Sequence, residues 1–153
     1  MTETYSAATT APAASSDDRT LAYVNYVLLM ISPFTGYITA IVALVLAYIK
    51  VGGAHPIEKS HFNAQISLFW WQLFLSLVAV GLFIAGVFAV GLDALVQYAE
   101  FGEDAIPLNG LIWMAISFGI GGLMFVGLFF WMIIAPIIGM GRLSNHQPNG
   151  RMV

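Results

Sequence analysis

No cysteine occurs among the 153 residues, which excludes disulfides, thiolate nucleophiles, iron–sulfur ligation and cysteine-based zinc sites. Charge is almost as scarce. Only 8% of residues are Asp, Glu, Lys or Arg, against about 25% in an ordinary soluble domain, too few to cover a soluble surface. The five Lys and Arg are dispersed, so no track of positive charge exists for a nucleic-acid backbone. A Ser-His-Asp set, a phosphate-cradling glycine loop and a pair of carboxylates inside an apolar run are all missing as well. The sequence therefore predicts no enzyme and no cofactor.

What is present is apolar surface in long blocks. Hydrophobic residues make up 59% of the chain, and no charge falls in 20–49, 62–92 or 108–141, each longer than the roughly 20 residues that cross a bilayer. The expected fold is an all-α integral membrane protein, a small bundle of four helical segments at about 21–32, 36–50, 58–92 and 108–141, the first two short or forming one kinked span. Residues 1–18, rich in Ala, Thr and Ser, read as a disordered tail, 19–143 as the transmembrane domain and 144–153 as a short C-terminal tail. No basic region precedes the first apolar run and no small-residue cleavage site follows it, so that run is expected to stay in the mature protein.

The first apolar block leaves two topologies open. Leu21 to Ile49 suits one helix of roughly 44 Å but is too short for two full crossings of a core about 30 Å thick. Ser32-Pro33-Phe34-Thr35-Gly36 breaks it near the middle, giving either two short helices or one kinked span with Tyr26 and Tyr48 in opposite aromatic belts. Asn25, the one amide inside this block, is expected to bond to a neighbouring helix.

Loops set the orientation. The two lysines lie in 50–61, which the positive-inside rule makes cytoplasmic, and Arg142 and Arg151 place the C-terminus on the same side. Asp93, Glu100, Glu103 and Asp104 stand without a basic residue in the following loop, where Leu92, Leu95, Val96 and Ala99 suggest a short amphipathic helix at the outer interface. Trp113 and Trp131 are about 27 Å apart along a helix and mark the two interfaces of one crossing. Gly81, Ala85 and Ala89 form a small-residue ridge, with Ala115 and Gly119, and Ser117 and Gly121, as its expected counterpart.

The most distinctive stretch runs from His61 to Trp71. His61 and Gln65 share one helical face, while Phe62, Ile66, Phe69 and Trp70 supply an apolar one, with Trp71 beginning the span. These residues are expected to sit at the cytoplasmic headgroups, partly wet, with His61 bonded to Gln65, a loop carbonyl or a lipid phosphate and setting helix depth. His55-x-x-Glu58-x-x-His61 evokes a metal site or a proton-dependent enzyme, but residues 55 and 61 diverge by about 120° around a helix, unlike ligands spaced by four. Pro56 suits a first helical position with His55 outside it, so no metal is expected.

Ala22-Tyr23 with Tyr26, Phe34-Thr35-Gly36, Ala47-Tyr48-Ile49-Lys50, Ser60-His61-Phe62, Gln65-Ile66 and Phe69-Trp70 resemble, in this order, the bacterial DUF4870 proteins, small membrane proteins grouped with the chloroplast import component Tic20. The similarity extends to Leu143–Pro148, and Asn63 and Ser67 stand where members often carry basic residues. The resemblance implies a four-helix membrane unit, favours the two-short-helices reading, and through Tic20 implies a part in protein transport. The function expected is that of an accessory or scaffold subunit of a larger bacterial inner-membrane complex, with the bilayer and a membrane-protein partner or a second copy as its contacts. A conduit or translocase component, lined by Asn25, Gln72, Ser76 and Ser117, is the alternative.

Overall fold

The computed structural model describes residues 16–102 and 107–150. Among these residues there are four α-helices and no strand: α1 (Ser16–Ile31), α2 (Ile38–Val51), α3 (Pro56–Phe101) and α4 (Leu108–Ser144). The expected tail lies outside the described residues up to position 15; Ser16, Asp17 and Asp18 are already helical, and the two acids suit the positive end of the helix dipole.

The first apolar block folds as two short helices and not as a kinked span. A single turn of 3-10 helix at Ser32–Phe34, with Pro33 in its first turn, ends α1, and Gly36 and Tyr37 both take left-handed backbone angles that reverse the chain. Residues 18 and 25 of α1 stand beside residues 50 and 43 of α2, so the pair is an antiparallel hairpin. Tyr26 and Tyr48 consequently do not form opposite belts: Tyr26 is buried and Tyr48 is exposed.

Pro56 opens α3, as its fixed backbone angle and missing N–H favour, and Lys59 N–H bonds to the His55 carbonyl at 2.8 Å. The expected short amphipathic helix around Leu92–Glu100 is not separate. Its residues complete α3, because nothing between 92 and 101 breaks the i to i−4 bonding until Gly102 takes a positive φ. At 46 and 37 residues, α3 and α4 are both long and apolar enough to cross a membrane.

The chain divides into two compact units, 1–68 with 134–153 and 69–133. In the first, Ala22, Tyr26, Ala47, Ala54, Phe62 and Leu143 form a common core. Pro136, which cannot donate to the Met132 carbonyl, lies fully buried inside α4.

In the second unit the helices meet at glycines. A Cβ at Gly110 would stand 2.7 Å from the Ala89 carbonyl oxygen and Val90 Cα, one at Gly86 would lie 3.1 Å from Ser117 Cβ, and one at Gly121 3.2 Å from the Phe83 ring. Phe83 also lies edge-on to Phe118 and tilted against Phe125, at centroid distances of 4.8 and 5.7 Å. The expected ridge is therefore displaced: Gly81, Ala85, Ala115 and Gly119 are exposed, with open space around Gly81 and Gly119, while Ala79, Phe83, Gly86 and Ala89 make the seam with Gly110, Ser117 and Gly121. Both sets repeat every three to four residues. Phe83 decides between them, since its ring needs the empty volume over Gly121. Asp93, expected as a loop charge, accepts the Gly110 N–H at 2.8 Å and so caps the first turn of α4 from the neighbouring helix.

Candidate functional site

The first compact unit gathers a cluster of interhelical polar bonds around the start of α3. His61 is fully buried, contrary to the partly wet position expected for it, because α1 and the segment after α4 cover both edges of its ring. Its Nε2 lies 2.9 Å from the Gln147 carbonyl oxygen, which can only accept, so Nε2 carries the proton. Nδ1 of the neutral ring is then an acceptor, and the Tyr26 hydroxyl donates to it at 2.9 Å. The Asn149 side-chain N–H donates in turn to that hydroxyl at 2.7 Å. Tyr26 and His61 cross edge to face, with centroids 5.8 Å apart.

One helical turn along α3, Gln65 carries a second tie. Asn25 donates from one amide nitrogen to Gln65 Oε1 at 2.8 Å and to the Ala43 carbonyl at 2.9 Å, and Gln65 Nε2 donates to the Ala22 carbonyl at 3.1 Å. Asn25 thus binds α1 to α2 and to α3, the helix-to-helix role expected of it, while its buried Oδ1 has no hydrogen-bond partner among the described residues. The four-residue spacing of His61 and Gln65 places them on one face, which α1 covers.

The segment following α4 closes the site. Asn149 N–H donates to Ser60 Oγ at 3.0 Å and Arg142 donates to Asn149 Oδ1 at 3.1 Å, while Arg19 donates to the carbonyls of Leu143 and Ser144, both at 3.2 Å, and lies 2.6 Å from His146 Nε2. A guanidinium on the last carbonyls of a helix satisfies both their orphaned lone pairs and the negative dipole end. Gly139 leaves room for the Tyr26 ring, whose Oη would lie 2.6 Å from a Cβ there.

Other signature residues separate by environment. Phe62 belongs to the core, Ile66 and Phe69 are half-buried, and Trp70 and Trp71 are exposed, Trp70 edge-on to Phe69 and Trp71 to Phe74. His55 Nδ1 and Glu58 Oε2 stand 3.2 Å apart, an ion-pair distance without hydrogen-bond alignment, while both ring nitrogens of His61 are engaged elsewhere, by Tyr26 and Gln147. Among the described residues no three His, Asp or Glu come together as metal ligands.

Tyr26, Gln147 and Asn149 have no counterpart among the expected site residues. Tyr26 carried a signal in its adjacency to Asn25, since a polar pair within a charge-free block needs partners; the backbone carbonyl of Gln147 carried none. Chemically, the arrangement is a set of ties. Both nitrogens of His61 are engaged, and Ser60 Oγ, a potential nucleophile, donates to the Ile57 carbonyl at 2.6 Å. Comparisons with protein-family models, curated proteins and solved structures give no match for this chain.

Proposed function

We propose that this chain is a non-enzymatic, multi-pass protein of the bacterial inner membrane that serves as an accessory or scaffold subunit of a larger membrane complex. One observation carries the reading. The most apolar 18-residue windows of α3 and α4 are only 11% and 22% buried within the chain, with side chains such as Phe88 and Leu123 facing outward. A core helix of a soluble protein would be mostly covered, whereas outward Phe, Leu and Trp on long helices suit acyl chains and a partner's helices. Arg19, Lys50, Lys59 and Arg142 all belong to the first compact unit, so the positive-inside rule assigns its charged end to the cytoplasm.

The resemblance to DUF4870 and Tic20-like proteins supports the same membrane setting. Between scaffold and conduit, the polar groups favour the scaffold: Asn25 and Gln65 tie helices together, and Gln72 donates to the Leu128 carbonyl at 3.4 Å. The test is photo-cross-linking in native membranes from probes at Phe88 and Leu123, with sizing of the gently solubilised protein. Protein adducts and an assembly larger than one chain are expected; a monomer yielding lipid adducts alone would defeat the proposal.

A further inference from the structure

The two ends of the α1–α2 hairpin differ in chemistry. At the open end, Asp18 pairs with Lys50 at 3.2 Å and Arg19 reaches the carbonyls closing α4. The turn at the other end has no charge anywhere from residue 20 to 49. Three of its four hydroxyls, those other than Tyr37's, are bonded inside the hairpin: Ser32 Oγ donates to the Leu29 carbonyl at 2.6 Å, Thr35 Oγ1 to the Ser32 carbonyl at 3.2 Å, and Thr35 and Thr39 hydroxyls meet at 2.9 Å. The Ser32 carbonyl also accepts the N–H groups of Thr35 and Tyr37, at 3.1 and 2.9 Å. Such self-bonding meets the demand of hydrocarbon, where an unbonded polar group costs several kcal/mol.

Length and surface agree with that chemistry. The helices have 16 and 14 residues, about 24 and 21 Å long, short of a core about 30 Å thick. Phe34 and Ile38, at the turn, are 71% and 67% exposed, and Ile41 and Val45 continue the apolar face along α2.

We infer that the α1–α2 hairpin is a re-entrant wedge: it enters the leaflet on the side of Lys50, seats its turn among that leaflet's acyl chains, and returns without crossing. This rests on the membrane reading above. The occupant of the exposed face of α2 is lipid, and the self-bonded turn is what permits a reversal of the chain inside hydrocarbon.

The absence of cysteine makes single-cysteine probes clean. Cysteines replace Ile38 or Phe34 at the turn, Gly53 in the open loop after α2, and exposed Asn109 at the start of α4. In sealed, oriented vesicles an impermeant maleimide is expected to label Gly53→Cys from one face and Asn109→Cys from the other. That pair tests the membrane reading alone, and both labelling from one face would overturn it. Given opposite labelling, Ile38→Cys and Phe34→Cys are expected to resist the impermeant reagent from both faces. A fluorophore attached there with a permeant reagent should be quenched by lipids brominated midway along their acyl chains. Labelling from the Asn109 face would mean a full crossing, and labelling from the Gly53 face a hairpin in water. Shielding from both reagent and brominated lipid would mean a protein cover. Each of these three results overturns the wedge while leaving the membrane reading intact, and the two turn positions guard against one substitution disturbing the fold.

Discussion

The two compact units join their helices by different means. In the first, side chains reach across: Asn25, Tyr26, His61, Gln65 and Asn149 each donate to or accept from a segment far away in the sequence. In the second, backbones approach directly at Gly86, Gly110 and Gly121, and the polar links on that seam include Gln72 to Leu128 and Gly110 to Asp93. The difference follows from length. The 16 and 14 residues of α1 and α2 cannot rely on helix length for anchoring, so specific bonds hold the hairpin and the C-terminal segment to α3. Helices of 46 and 37 residues satisfy their own backbones and need only close van der Waals contact to pair.

The sharpest break in that comparison is Gly110→Ala. The new Cβ would meet the Ala89 carbonyl oxygen and Val90 Cα at 2.7 Å, and backbone atoms cannot swing aside as a side chain can. The helices must separate locally, at a cost near the upper end of overpacking, about 3 kcal/mol. Thermal or denaturant unfolding in detergent should show the largest loss of this set, and an unchanged midpoint would mean that the seam is not tight.

In the bonded unit the matching change is His61→Ala. It removes the donor to the Gln147 carbonyl and the acceptor for Tyr26, leaving buried groups unpaired and a cavity, for about 2–3 kcal/mol. The loss should be accompanied by faster protease cleavage near Gln147, because the segment after α4 loses its tie. A destabilised protein with that segment still protected would show that Arg19, Ser60 and Arg142 hold it without His61.

How much of this was legible in the residues differs between the units for a physical reason. Charge-free runs and Pro56 located the long helices, since chain solvation and backbone angles are local properties, while Pro33 and Gly36 marked the break in the first block without deciding between a kinked span and two short helices. The spacing of His61 and Gln65 gave their common face but not what covers it, because the partners, Tyr26, Ala22 and Gln147, come from segments with no shared pattern. The glycine seam was read only in part: Ala89, Ser117 and Gly121 lie on it, while a small rotation around α3 puts Ala79, Phe83 and Gly86 there in place of Gly81 and Ala85. Small residues occur both at 81, 85 and 89 and at 79, 86 and 89, and only the bulk of Phe83 opposite Gly121 separates the alternatives.

A smaller effect tests whether the bonds or the packing of the first unit dominate. Tyr26→Phe keeps the buried ring over Gly139 and removes only the hydroxyl between Asn149 and His61. The loss expected is about 1 kcal/mol, or less if His61 and Asn149 find other partners. Combined with His61→Ala, the changes should be markedly less than additive, because both delete the same bond; additivity of unfolding free energies would mean that the two residues act independently.

The smallest effect is expected at Gly81→Ala, and it bears on which face of α3 pairs. Gly81 is exposed, with nothing within 4 Å of an added methyl group, so substitution should move the unfolding midpoint by no more than about 0.5 kcal/mol in equivalent free energy. At Gly86, one and a half turns further on, the same methyl group would meet Ser117 Cβ at 3.1 Å and Met114 Cα at 3.2 Å, forcing a shift in α4. If the face bearing Gly81 docks against a partner's helix, Gly81→Ala should leave the isolated chain unchanged while weakening recovery of the assembly from native membranes. The comparison would then extend beyond the chain, with glycine contact joining α3 to α4 on one side and to the partner on the other.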